Sequence, residues 1–372
     1  MFFGTFAWAF VFISLPFHIQ RMSPWDALTT LRWTGWILGI SPLLTVATAP
    51  LWGRYAERAN VKLLYVLTQY LQGAAFFGMA LARTLPELFV SRLVLGAIGA
   101  ASTFAFVSAG RSQDAGEVRR QVAAVQSAMT VGQVIGPLAG ALAAARLGFR
   151  GSFVLGGLIL IGCGVLVQWR VPAAPATRKT GTAASPPRWK ATSAVAIVVL
   201  GGSTQVFFLT AILPQVVHEL GVAGDRTLEV GGVLIFVSGV AAALGSIAAG
   251  RVGDRVSERT LLPVLLVASS ALVAALAFAS SVWLYGGLRF LQVLCIAPVF
   301  PIVVARIAHS GGGTAIGVVN SARIGAAFLG PVVATTLLAW SAPWVLYLVL
   351  ALIGLACLPL AAPRPALVGE RR

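Results

Sequence analysis

The residues able to do chemistry in this chain are few, and most of them sit where polar groups are costly. Arg92, Arg289 and Arg323 each stand inside a long apolar run, and an arginine at the centre of a membrane-spanning helix costs roughly 3 kcal/mol to insert. Each admits two readings: a functional cation facing a polar interior, or a side chain that bonds backbone carbonyls or reaches outward to the interface. Gln69, Gln126, Gln133, Thr204, Gln205 and Asn320 also interrupt apolar runs. They read either as the lining of a polar cavity or as hydrogen bonds between helices. All eleven acids fall in loops, at the ends of apolar runs or in the tail, so no carboxylate is placed at mid-membrane to take up and release a proton. His18, beside Gln20 and Arg21 near the end of the first run, reads as a proton sensor or as an interfacial histidine without a role. No paired carboxylates, Ser/His/Asp set or Cys/His cluster occurs, and Cys163, Cys295 and Cys357 lie singly in apolar runs as packing residues. The expectation is therefore no enzyme, no metal and no cofactor, and the lack of a phosphate-cradling GxxxxGK[ST] segment excludes an ATP-driven pump.

The elements that must hold these residues follow from composition. Of 372 residues 58% are hydrophobic and only 10% charged, where soluble domains carry about a quarter charged residues. The apolar runs predict spans at 2–20, 33–51, 63–82, 88–109, 121–144, 151–169, 192–214, 229–249, 261–280, 282–305, 313–339 and 343–362, each near the roughly 20 residues that cross a bilayer. The predicted fold class is all-α, a polytopic membrane protein of about twelve helices. No Lys or Arg precedes the first run and no small-residue cleavage site ends it, which predicts a retained helix rather than a removed leader. The net charge of +16 is not a nucleic-acid patch, because the basic residues are spread among loops. With the N-terminus inside, eighteen Lys and Arg fall in inner loops and six in outer ones, so the positive-inside rule places both termini in the cytoplasm and the chain in the inner (plasma) membrane. Trp25, Trp169, Trp283 and Trp340, among others, fall near span ends as an aromatic belt.

The chain repeats itself. GRYAERANVK at 53–62 matches GRVGDRVSER at 250–259, Arg92 matches Arg289 at the same offset, and VQSAMTVGQVIGP at 125–137 matches VNSARIGAAFLGP at 319–331. Residues 171–190 are the one long polar stretch and read as a flexible linker. The predicted organisation is a six-helix bundle at 1–170, a cytoplasmic linker at 171–190, and a second bundle with a short cytoplasmic tail at 191–372. An even number of spans separates the copies, so the repeats run in the same orientation and enclose a central site.

On these residues the chain resembles the major facilitator superfamily over essentially its whole length. Gly53, Glu57, Arg58 and Lys62 look like the family's loop signature, with a second copy at Gly250, Asp254, Arg255 and Arg259; Asn60 and Ser257 stand where the family has a second glycine, and the family's acid at the end of span 4 is missing. Arg92 resembles the arginine that the family ties to proton coupling. Gly132, Gly136, Pro137 and Gly140 fit GxxxGPxxG, which is similar to the family's antiporter motif; small residues at this spacing also serve plain helix packing. The resemblance, nearest to the twelve-span drug:proton antiporters and bacterial multidrug efflux proteins, implies alternating access by two rocking bundles and proton-coupled efflux of small amphiphilic compounds. It implies as partners the lipid bilayer, a small-molecule substrate and protons, with a monomer as the family default. A metabolite or sugar exporter or importer on the same fold is the other reading, and a non-transporting scaffold or enzyme a remote one. Three embedded arginines without an embedded acid predict an electropositive cavity that prefers neutral or anionic solutes, if Arg323 faces inward.

Overall fold

The computed structural model describes residues 1–109, 115–171, 189–253 and 257–361, which are helical apart from short turns. In chain order the helices are α1 (Phe2–Phe12), α2 (Leu15–Met22), α3 (Ala27–Arg58), α4 (Val61–Leu81), α5 (Leu85–Ala97), α6 (Ala101–Ala109), α7 (Ala115–Arg170), α8 (Trp189–Glu219), α9 (Thr227–Gly253), α10 (Glu258–Ala275), α11 (Val282–Ile296), α12 (Val299–Trp340), α13 (Pro343–Ala356) and α14 (Leu358–Ala361). Nine helical stretches among the described residues are long and apolar enough to cross a membrane. The twelve expected spans are recovered once two facts are added. The stretch Ala124–Arg170 is broken in the middle by Gly148, at φ +72° and ψ 167°, a conformation open almost only to glycine. Helices α3 and α4, of 32 and 21 residues, have the length to span but carry more polar residues, Thr68, Gln69 and Gln72 in α4 among them. Most of the linker predicted at 171–190 lies outside the described residues.

Helix starts are written in local sequence. Asp26 accepts from the amides of Leu28 and Thr29 at the head of α3, and Asn60 from those of Lys62 and Leu63 at the head of α4, each satisfying donors that a helix start leaves orphaned. Asn60 has φ −71°, so it replaces the family's glycine as a helix cap and not as a left-handed residue. Ser257 stands at the N-cap of α10 with φ −61°. Thr84 and Ser281 cap α5 and α11 by accepting from the amides of Glu87 and Leu284, extending the internal repeat to these caps.

Three spans expected as single helices, the first, fourth and tenth, are broken. The first separates α1 from α2 just before Pro16, which has no amide hydrogen to offer Phe12. The fourth stops at Ala97 and restarts at Ala101, and three side chains meet the carbonyls at the break: Thr45 Oγ1 donates to Gly96 at 3.1 Å, Trp52 Nε1 to Ala97 at 2.8 Å and Gln72 Nε2 to Ile98 at 3.2 Å. Broken backbone inside a membrane protein needs such partners, because lipid supplies none. Span ten has the matching break, between Ile296 and Val299 at Pro298.

The helices form two six-span bundles, and their cores show how the bundles meet. One apolar cluster mixes both bundles, joining Ile13, Phe17, Leu31 and Ala141 to Phe208, Leu213, Leu228 and Ala339. Those residues lie toward the end of the molecule away from Met1. At the Met1 end the cores separate: Ala56, Val61, Tyr65 and Phe104 cluster within the first bundle, Val195, Leu262, Val303 and Val319 within the second. The bundles are thus packed together at the far end and parted at the Met1 end. Large apolar side chains such as Trp283 and Phe278, 91% and 84% exposed, point outward, as a surface solvated by lipid requires.

Candidate functional site

Between the parted bundles lies a cavity of about 760 Å³. Its lining follows the internal repeat. Gln126, Met129 and Gln133 line it from α7, and Asn320, Arg323 and Ala327 from α12; these are paired positions of the 125–137 and 319–331 repeats at spacing i, i+3, i+7, which is one face of a helix. The bundles present the same face to the cavity, with Met129 in one standing opposite in kind to Arg323 in the other. Polar groups at the paired positions are otherwise uncharged.

Of the residues expected in the cavity, Gln69, Gln126, Gln133, Asn320 and Arg323 line it. Thr204 and Gln205 do not. Gln205 is fully buried inside the second bundle, where it accepts from Ser269 Oγ at 2.7 Å and donates to Leu350 O at 2.9 Å; Thr204 bonds back to Leu200 O in its own helix. For Gln205 the interhelical reading holds, with partners on α10 and α13, whereas Thr204 is satisfied within α8. Trp8, Thr45, Gln72, Phe207 and Phe300 line the cavity and were missed. The spacing of Gln72 three residues after Gln69 was the available signal; the aromatic residues offered none, since apolar positions look alike in a membrane helix.

Two lining residues carry buried polar atoms without a hydrogen-bond partner among the described residues. Gln69 is 1% exposed, and neither its Oε1 nor its Nε2 has a hydrogen-bond partner. Its neighbour Gln72 is satisfied, accepting from Trp8 Nε1 at 3.1 Å and donating to Ile98. Arg323 stacks its guanidinium over the Phe300 ring, 5.1 Å from the centroid, and its Nε is buried without a partner. No carboxylate lines the cavity among the described residues. A smaller chamber of about 140 Å³ opens beside it within the second bundle, and Arg323, Phe207 and Phe300 line both.

Arg92 and Arg289 are 1% exposed and line neither space. Arg92 donates from Nε to Ile37 O at 3.1 Å and from Nη2 to Leu38 O at 3.0 Å. Leu38 O is the carbonyl that Pro42 leaves without its helical partner, so Arg92 plugs the proline gap of α3. Arg289 donates to Gln205 O at 2.8 Å and Val206 O at 2.6 Å of α8, and to Gln292 Oε1. The repeated arginines therefore tie different helices, α5 to α3 in one bundle and α11 to α8 in the other.

Gly132, Gly136 and Gly140 form a groove for α1: a Cβ on Gly132 would meet Phe6 N at 2.8 Å, one on Gly136 Phe6 O at 2.9 Å, and one on Gly140 the backbone of Phe10. Pro137 is buried on the same helix. Around Gly53 no described atom lies within 4 Å of a Cβ position, so that glycine makes no close helix contact among the described residues, and Lys62 is half-buried. Glu57, Arg58 and Gly250 fall in helices whose side chains at those positions lie outside the described residues, as do Asp254 and Arg255 altogether. His18 is buried between Phe149 and Phe153, at 5.4 and 5.2 Å, with Nε2 unpartnered. Among the described residues no three His, Cys, Asp or Glu converge as a metal site would need.

Comparison with known proteins agrees with this architecture. The chain is 25% identical over 336 residues to the uncharacterized MFS-type transporter YuxJ of Bacillus subtilis, covering 86% of this chain and 83% of the relative. It is 25% identical over 300 residues to the multidrug resistance protein MdtG of Citrobacter koseri, covering 77% and 72%. In fold it is similar to the nucleoside transporter NupG, with a TM-score of 0.76 at 12% identity over 98% and 97% of the chains. It is likewise similar to a bacterial homologue of the lysosomal transporter Spinster, with a TM-score of 0.75 at 14% identity over 97% and 93%. The Major Facilitator Superfamily model matches twice, over residues 1–233 and 195–371. Between them the two matches span both bundles, and the chain belongs to the Major Facilitator Superfamily of membrane transporters.

Proposed function

We propose that this transporter exports small amphiphilic compounds by alternating access, driven by protons. The observation that carries the reading is the cavity itself: mixed aromatic and amide walls, drawn from both bundles, open between them at the Met1 end and capped by a shared apolar core at the far end. With both termini in the cytoplasm of the inner membrane, as the basic loops indicate, this is the conformation that loads from inside. The resemblance to MdtG relatives supports export, and the glycine groove of α7 is the part of the antiporter motif on which it rests. The bundle boundary is placed in 171–190, the chain acts as a monomer, and Gly53, Glu57, Arg58, Lys62 and their repeats Gly250, Asp254 and Arg255 latch the Met1 end when it closes. Arg92 and Arg289 serve coupling by fixing the helices that move.

The test is export of a panel of dyes and antibiotics from cells lacking their own pumps, with and without a protonophore, at matched expression. Export seen only with the wild-type chain and abolished by the protonophore is the expected result. A panel that never moves, with nucleosides or sugars transported instead, would replace this reading with metabolite transport on the same fold.

A further inference from the structure

We infer that the chamber behind Arg323 is an anion subsite, and that the preferred ligand is an amphiphile with one anionic head group seated there and an uncharged polar group reaching Gln69. The inference deepens the transport reading above and rests on it only for calling the cavity a ligand site. Arg323 sits on the boundary of the two spaces, since it lines both. Its guanidinium carries five donors and no acceptor. Its Nε has no partner, its guanidinium lies over the face of Phe300, and no acid lines the cavity among the described residues. A cation left in this state inside a membrane protein is costly, and a ligand anion is the group that would offset the cost through charge-assisted hydrogen bonds. The chamber suits a head group rather than a whole ligand: it is about 140 Å³ against about 760 Å³ for the main cavity. It also adds the hydroxyls of Ser203 and Ser246.

Across the cavity, Gln69 offers an unpartnered carbonyl and an unpartnered amide from a fully buried side chain. It belongs to the first bundle and Arg323 to the second, so one ligand touching both bridges the two bodies that move. Between them Trp8, Phe207 and Phe300 supply flat apolar walls that suit an aromatic or alicyclic body. The charge asymmetry is a property of this chain's own repeat, because the position paired with Arg323 is Met129.

The experiment is equilibrium binding to the purified full-length protein in nanodiscs, by calorimetry against empty nanodiscs. The three probes share a naphthalene body and differ in head group: 2-naphthalenesulfonate, 2-naphthalenemethanol and a naphthyl-trimethylammonium. The sulfonate should bind at least about tenfold more tightly than the other two, the size of a good charge-assisted contact. Arg323→Gln should remove that preference, Arg323→Lys should keep part of it, and Gln69→Leu should weaken the neutral probe and the sulfonate alike only when they carry an added hydroxyl on the far ring. Equal or tighter binding of the ammonium, a sulfonate preference that survives Arg323→Gln, or binding of none of the three overturns the inference. Equilibrium binding has no direction, so loss of the export reading leaves this result standing, and export without a sulfonate preference sinks the subsite alone.

Discussion

At the level of single residues, the two most expensive side chains in the chain turn out to be held by backbone. Arg92 offers two donors in a fixed fork to adjacent carbonyls of α3, one of which Pro42 has freed. A lysine has no such fork. Arg92→Gln is expected to lower stability by roughly 1–3 kcal/mol, the cost of leaving a buried carbonyl unmet, read as thermal unfolding in detergent. Pro42→Ala returns an amide hydrogen to Leu38 O, so the double variant should lose less than the two single losses added together; simple additivity would remove the plug from the account. Export should fall in Arg92→Gln even where unfolding is corrected by lower temperature, because the guanidinium's share of the α3–α5 tie is gone. The embedded arginines were visible in the sequence as charges in apolar runs. Which of them would face a cavity was not, because a helix wheel does not say which neighbour each face meets.

At the level of elements, close helix packing in this protein depends on missing side chains. Hydrophobic burial gives helices in lipid little reason to associate, so contact area and small residues decide it. On Gly140 a Cβ would run into the backbone of Phe10, whereas on Gly162 it would meet nothing within 4 Å. Gly140→Ala should therefore be strongly destabilising, by about 2 kcal/mol or more from overpacking. Gly162→Ala, in the same long element, should be neutral or mildly stabilising through helix propensity, and a comparison of the two melting temperatures checks both. Gly148→Ala should cost about 1–2 kcal/mol through its positive φ, with no clash involved. The motif GxxxGPxxG was legible from spacing. The breaks at Ile98 and Pro298 were not, since the groups that satisfy them, Thr45, Trp52 and Gln72, come from other helices.

Across the whole molecule, the two bundles meet at one end and part at the other, and transport requires that this be reversed. Between those ends, beside the cavity, α7 and α9 approach so closely that a Cβ on Gly239 would lie 3.6 Å from that of Val134, inside the range a disulfide accepts. With Cys163, Cys295 and Cys357 replaced by serine or alanine, Val134→Cys with Gly239→Cys should cross-link under mild oxidation, stop export, and release it again on reduction. Full export by the cross-linked protein would show that the α7–α9 contact need not move. The amino-acid sequence by itself determined the membrane class, the approximate spans, the two-fold repeat and the positions of the embedded polar residues, because hydropathy, capping and repeat spacing are local properties. It did not determine that Gln205 bonds within its bundle while Gln69 is left unpartnered, that Arg92 and Arg289 grip different helices, or that Arg323 is the charged side chain lining the cavity among the described residues. Those follow from which helix faces meet, and that is decided only when every helix must find neighbours for its polar groups at once.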